Sequence, residues 1–256
     1  MNGAFYVAGI GLETQQNALD TLANNIANLN TRGFKRMEVQ FSELVAETAR
    51  ASQADDMPSV ANQALAGVML QTRMAMSQQG ELERTDQPMD LALDGSGFIE
   101  LLGHDGDTAL WRGGRLQINE DGFLAAANGM MLAAQISVPD SAVDMRIDAD
   151  GRVEAVFEGG EREEIGQIGL LRIKSEQALE RLDGGIYRVE DSRMTENAEA
   201  GLDGMGRFVQ GSLERSNVDL NREMVDMMIV QRAYAANAQV VQAADQMLSI
   251  ANNLRR

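Results

Sequence analysis

Few side chains in this sequence could do acid–base chemistry near neutrality, and none has a partner at a useful spacing. His104, the only histidine, sits in Gly103-His104-Asp105-Gly106, a run that reads as a turn. A lone loop histidine is far more often a solvated residue than a base. Ser96 lies in Gly95-Ser96-Gly97, without the strand-to-helix context that makes a nucleophilic elbow. Neighbouring carboxylates such as Glu163 and Glu164 are the type that glycoside hydrolysis uses. With 39 acidic residues in the chain, such pairs arise by chance.

Metal and phosphate chemistry fare no better. Asp148-Ala149-Asp150-Gly151 imitates part of a calcium loop, but its first ligand would be Arg146 and its twelfth Phe157. The run ending in Asn119-Glu120-Asp121-Gly122 fails the same way, with Gln117 first and Asn128 last. Gly201, Gly204 and Gly206 fit no dinucleotide or phosphate loop, and turns explain them better. Met224, Met227, Met228 and Met247 read as adaptable packing rather than ligands. No catalytic, cofactor-binding or metal residue is assigned, and the chain is not expected to be an enzyme.

Composition narrows the remaining classes. A chain of 256 residues with 44% hydrophobic content can bury a core. The net charge of −17 argues against nucleic acid, whose phosphates demand clusters of Lys and Arg. Lys35 and Lys174 are the only lysines, so a polybasic membrane patch is not expected either. Cysteine is absent, which removes disulfides and thiolate chemistry. The start, Met1-Asn2-Gly3-Ala4-Phe5-Tyr6, lacks a basic n-region, and there is no apolar stretch of membrane-spanning length.

Charge is also segregated along the chain. Residues 1–36 carry +1 and residues 218–256 carry zero, so residues 37–217 carry −18 within a net −17. Near-neutral ends can crowd together with little Coulomb repulsion, while an acidic body stays in water.

Those ends read as helices. Phe5, Leu12, Leu19 and Ile26 recur every seven residues, and Ala8, Gln15, Leu22 and Leu29 form the companion row. The pattern predicts a helix from about Phe5 to Leu29, ~37 Å long for ~25 residues, with Asn30, Thr31 and Gly33 stopping it. Toward the C-terminus, from about Leu220 to Leu254, two seams share one helix. Leu220, Met224, Met227, Tyr234, Ala238, Val241 and Leu248 make the first, interrupted by Gln231 and Asp245. Val230, Ala233, Val240, Ala244, Met247, Ala251 and Leu254 make the second, interrupted by Asn237. Ser216 or Asn217 is the expected N-cap. A helix apolar on two faces needs neighbours on two sides.

The middle reads as β. Asp90-Leu91-Ala92-Leu93-Asp94-Gly95-Ser96-Gly97-Phe98-Ile99-Glu100-Leu101 is strand, turn, strand, and Asp105-Gly106, Asp121-Gly122, Asp150-Gly151 and Asp183-Gly184 repeat the hairpin cue. The expected organisation is an N-terminal helix and signature over 1–36, then a partly flexible connecting segment over 37–85. A β-rich domain over 86–211 and a C-terminal helix over 212–256 complete it.

The run Ala23-Asn24-Asn25-Ile26-Ala27-Asn28-Leu29-Asn30-Thr31-Arg32-Gly33-Phe34-Lys35-Arg36 resembles the N-terminal signature of bacterial flagellar basal-body rod and hook proteins. Ser216-Asn217-Val218-Asp219 through Gln231-Arg232-Ala233-Tyr234, then Asp245-Gln246-Met247-Leu248, resembles the matching C-terminal signature. Asp90 to Phe98 resembles the strand-turn motif of the same family's central domain, and Gly201-Leu202-Asp203-Gly204 and Gln210-Gly211 also fit. Departures are Ala235, where an acidic residue is frequent, and Arg115-Leu116, where a small residue and an aromatic are usual. Length and motif order favour the distal part of the rod over the proximal part, and the middle is too short for a hook subunit.

The resemblance implies a structural subunit of a helical tube that transmits torque from motor to hook. It also implies export through the flagellar type III apparatus without a cleaved signal, and neighbouring rod and hook subunits and surrounding ring proteins as partners. The rod crosses the periplasm in that family; neither nucleic acid nor membrane insertion is involved. Terminal helices would pair as a coiled-coil-like core and the β domain would face outward, with the terminal segments unordered before assembly. The implied assembly interface comprises Leu12, Leu19, Leu22, Asn24, Asn25, Ile26, Asn28, Gly33 and Phe34 with Met224, Met227, Gln231, Tyr234, Val241 and Leu248. Leu12, Leu19, Leu22 and Ile26 would pack on Met227, Tyr234, Val241 and Leu248. Two rival readings are a secreted binding or adhesive β module on a helical oligomerisation stalk, and a cell-wall hydrolase linked to rod assembly.

Overall fold

The computed structural model describes residues 2–44, 67–103, 108–174, 179–182, 185–189 and 192–253. It is mainly β, with one helix near each end of the chain, and it divides into two units. The helical unit comprises Met1–Ala27, Met37–Arg73 and Asp219–Arg256, and the β unit comprises Asn28–Arg36 and Met74–Val218.

In the helical unit, α1 spans Asn2–Ala27 and α2 spans Leu220–Asn253. At 34 residues, α2 is ~51 Å long. Its N-cap is Asp219, two or three residues later than the sequence pointed. The Asp219 carboxylate accepts from the amides of Asn221 (2.9 Å) and Arg222 (3.3 Å). Ser216 and Asn217 are therefore not the cap, because Asn217 is engaged in the β unit. The two helices pack through Ala18, Leu19 and Leu22 of one and Met227 and Val230 of the other. Strands β1 (Met37–Leu44) and β2 (Gly67–Met74) form a two-stranded sheet, and their Val39 and Leu70 join that cluster. This sheet lies in the stretch that the sequence presented as a connecting segment. The Ala- and Gln-rich part of that segment, 48–66, lies outside the described residues.

The β unit is built on two larger sheets. Strands β4 (Asp90–Asp94), β7 (Gly113–Ile118), β8 (Leu124–Ala126) and β16 (Arg207–Gln210) form one, in the order β16-β4-β7-β8. Strands β5 (Phe98–Leu102), β6 (Thr108–Trp111), β12 (Leu170–Ile173), β13 (Leu179–Arg181), β14 (Ile186–Val189) and β15 (Thr195–Ala198) form the other, in the order β13-β14-β6-β5-β12-β15. Strands β9 (Ala142–Ile147), β10 (Arg152–Phe157) and β11 (Arg162–Gln167) form a three-stranded sheet, and β3 (Leu82–Arg84) and β17 (Ser212–Glu214) form a separate pair.

Strand alternation explains the core. Ile99, Leu101, Trp111, Leu170 and Ile186 join the main cluster with Leu91, Leu93 and Leu116. Their neighbours Phe98, Leu110, Leu171 and Tyr187 belong to a second cluster. The six-stranded sheet is thus apolar on both faces, which is why its strands read as short continuous apolar runs.

The Asp-Gly cues have mixed outcomes. Asp121-Gly122 and Asp150-Gly151 lie in hairpins, β7–β8 and β9–β10. Asp105-Gly106 and Asp183-Gly184 lie outside the described residues. Asp94-Gly95-Ser96-Gly97 joins two strands that do not pair with each other. Here β4 pairs with β7 and β16, while β5 pairs with β6 and β12. The turn is a corner carrying the chain between sheets. Gly95 and Gly97 sit at φ +115° and +125°, and a Cβ at Gly95 would come within 2.7 Å of the Gly206 backbone.

Candidate functional site

The stretch that carries the signature, residues 28–36, folds against the strand that leads toward α2. Past the end of α1, the Thr31 amide donates to the Asn28 carbonyl (3.1 Å) and the Thr31 hydroxyl to the Asn28 side chain (3.1 Å). Gly33 then takes φ +66°, a conformation that a β-branched residue resists. Its amide donates to the Glu214 carbonyl (2.8 Å), and its carbonyl accepts from the Tyr187 hydroxyl (3.3 Å). Phe34 is buried beneath the Arg181 guanidinium, 3.9 Å from the ring centroid.

Lys35 is the central residue of this stretch and is 1% exposed. Its ammonium donates to Glu214 (2.6 Å) and to the Gln78 carbonyl (2.8 Å). The Glu214 carboxylate also accepts from the Gly80 amide (2.9 Å) and, at 3.3 Å, from Arg112. Arg112 in turn donates to the carbonyls of Gly97 (2.7 Å) and Gly95 (2.8 Å) and lies over the Phe98 ring. Burial lowers the Lys35 pKa; Glu214 opposes that shift, and the Arg112 charge adds to it. Burial likewise pushes the Tyr187 phenol up to about 12.

Asn217 closes the arrangement. It accepts from the Arg36 amide (2.6 Å) and donates to the carbonyls of Ala75 (3.0 Å) and Gln78 (2.8 Å). Its own amide donates to the Phe34 carbonyl (3.3 Å). Residues 28–36 and 212–218 thus belong to the β unit, although the sequence pattern groups them with the helices.

In the helical unit the polar centre is Asn25, fully buried. Its amide nitrogen donates to the Met37 carbonyl (2.9 Å) and to Glu223 (3.0 Å), and its oxygen accepts from the Met37 amide (2.9 Å). Leu19, Leu22 and Met227 meet in one cluster, while Leu12, Ile26 and Val241 are half-buried. Asn24, Met224, Gln231 and Tyr234 are exposed, and the side chain of Leu248 lies outside the described residues. The α2 row facing α1 runs through Met227 and Val230, so it draws on both seams read from the sequence. Asn28 is half-buried in its turn.

Sequence reasoning missed Arg112, Glu214, Tyr187 and Glu223. A weak signal existed for one partner: a lysine within an otherwise lysine-poor chain, flanked by Phe34 and Arg36, needs a nearby anion if it is buried. Of the motifs weighed for chemistry, Asp148 pairs with Arg146 and Asp150 with Arg152. Glu163 and Glu164 are exposed neighbours on β11, so they point to opposite faces. Asp90, fully buried, is held by the departure residue Arg115 at 2.9 Å. His104 lies outside the described residues.

Residues 5–35 match the Flagella basal body rod protein family, residues 92–155 the Flagellar hook protein FlgE/F/G D1 domain, and residues 209–254 the Flagellar basal body rod FlgEFG protein C-terminal domain. The chain is 32% identical to the flagellar basal-body rod protein FlgG of Borreliella burgdorferi over 264 aligned residues, covering 100% of both chains. It is 32% identical to FlgG of Caulobacter vibrioides, covering 98% of this chain and 99% of that one. The flagellar hook-basal body complex protein FlhP of Bacillus subtilis is 26% identical, covering 97% of each. These relatives do not favour the adhesive-module reading. Three motifs in the expected order, each overlapping a matched region, and full-length identity above 30% lead to one conclusion: the chain belongs to the flagellar basal-body rod protein family, as a structural rod subunit that stands with the distal rod proteins.

Proposed function

We propose that this chain is a non-enzymatic subunit that self-assembles into the distal segment of a helical rod and passes torque from motor to hook. Its terminal helices form the core of that tube by coiled-coil-like pairing, and they reach the rod through the flagellar type III apparatus without a cleaved signal. The rod crosses the periplasm, where neighbouring rod and hook subunits and surrounding ring proteins are its partners. One observation carries the reading. After α1 has packed on α2, Met224, Val225, Met228, Ile229, Val240 and Ile250 of α2 are still exposed, an apolar surface that a stable monomer would not keep. Other copies of the chain are its natural cover.

The test is electron microscopy of basal bodies from a strain lacking the gene, with motility scored alongside. A rod that stops short of the hook is expected, and its stopping point separates distal from proximal placement. Intact basal bodies with normal swimming would sink the reading. Complementation with Gly33→Val is expected to fail to rebuild the rod, because valine cannot take the φ of +66° without strain.

A further inference from the structure

Three segments distant in sequence meet at one carboxylate. Lys35 comes from the signature stretch, Arg112 from just past β6, and Glu214 from the last residue of β17. The group holds two cations against one anion, with backbone carbonyls of Gln78, Gly95 and Gly97 accepting from further N–H donors. A buried ion cluster is a poor way to add stability, because desolvation offsets most of the Coulomb gain. It is a good way to demand one arrangement, since removing the shared anion leaves two buried cations unpaired.

The arrangement demanded here has a consequence for the helices. Within the β unit, the stretch after α1 and the stretch before α2 run side by side. The Gly33 amide donates to the Glu214 carbonyl, the Asn217 amide to the Phe34 carbonyl, and the Arg36 amide to the Asn217 side chain. We propose that Lys35, Arg112 and Glu214 form a latch that folds residues 28–36 and 212–217 into the β unit. The latch thereby holds the attachment points of α1 and α2 together before those helices have found other subunits.

Without it, pairing α1 with α2 would close a loop of roughly 190 residues, an entropy cost that grows with loop length. With it, each helix starts next to the other and the encounter is local. The unordered parts of the monomer would then be the segment up to Ala27 on one side and the segment from Asp219 on the other, rather than residues 1–36 and 212–256. Whatever the chain assembles into, this inference stands or falls on the monomer alone.

Hydrogen exchange on the full-length monomer, resolved to peptides, tests it. The amides of Gly33, Arg36, Arg215 and Asn217 are expected to exchange as slowly as those of β4, in one cooperative unit. In Glu214→Gln, which leaves Lys35 and Arg112 without their counter-charge, both stretches should speed up together by about 100-fold or more, while β5 keeps its protection. Should that variant lose protection in β5 as well, Lys35→Met provides the second measurement: Arg112 still balances Glu214, so a smaller loss is expected, again in both stretches together. Fast exchange of either stretch in the unaltered protein would overturn the latch. So would independent behaviour of the two stretches, or loss of protection throughout the β unit in both variants.

Discussion

The two units treat charge and apolar surface in opposite ways. In the β unit the apolar residues are sealed on both faces of the six-stranded sheet, and the ionic groups Lys35, Arg112, Glu214 and Asp90 are buried with partners. In the helical unit the apolar cluster is small, Asn25 and Glu223 occupy its buried polar positions, and several large apolar side chains of α2 remain exposed. A unit with its surface in order is complete as a monomer. One with unpaid hydrophobic surface is a component, and its stability belongs to the assembly.

That contrast can be broken from either side. Its strongest test is Glu214→Gln, expected to loosen residues 28–36 and 212–217 by about 3–5 kcal/mol in hydrogen exchange of the full chain, with β5 still protected and little effect on the helical signal. Equal loss in both units would mean that they are one cooperative body. Tyr187 gives a pH handle on the same unit. Its phenol titrates at about 12 in the fold against an ordinary 10.0, so its contribution is fully present below pH 10.0 and is lost as pH rises to about 12. Roughly 3 kcal/mol should disappear across that window, read from unfolding curves, and Tyr187→Phe should flatten the dependence.

In the helical unit, Asn25→Ala strands the Met37 amide and carbonyl and one Glu223 contact, at an expected cost of about 1–3 kcal/mol. Helical circular dichroism of the monomer would register it, while the β unit stays unchanged. The smallest monomer effect should come from Met224→Ala. Met224 is 53% exposed, so unfolding should shift by less than about 0.5 kcal/mol. The same substitution should nonetheless weaken polymerisation, measured by sedimentation. A variant that polymerises normally would remove this residue from the interface.

Much of this division was legible in the sequence. The heptad rows of α1, the two-seamed pattern of α2 and the apolar runs of the sheet each follow a period of seven residues or fewer, which local spacing records. Boundaries were harder. The Asp-Gly cues located turns but could not say which strands paired, and the corner at Gly95–Gly97 joins two sheets rather than closing a hairpin. The strands Met37–Leu44 and Gly67–Met74 were hidden because a connection rich in Ala and Gln separates them.

Residues 28–36 illustrate the limit most clearly. The signature motif groups them with the helix that precedes them, yet they fold with the β unit. What places them is Glu214, Arg112, Asn217 and Tyr187, which lie between 76 and 189 positions away along the chain from residues 28–36. The sequence by itself determined the family, the helices and their unfilled apolar faces, because those rest on residue types at short spacing. Only the tertiary structure decided which charge meets which, because burial makes an ion seek a partner without specifying where along the chain that partner lies.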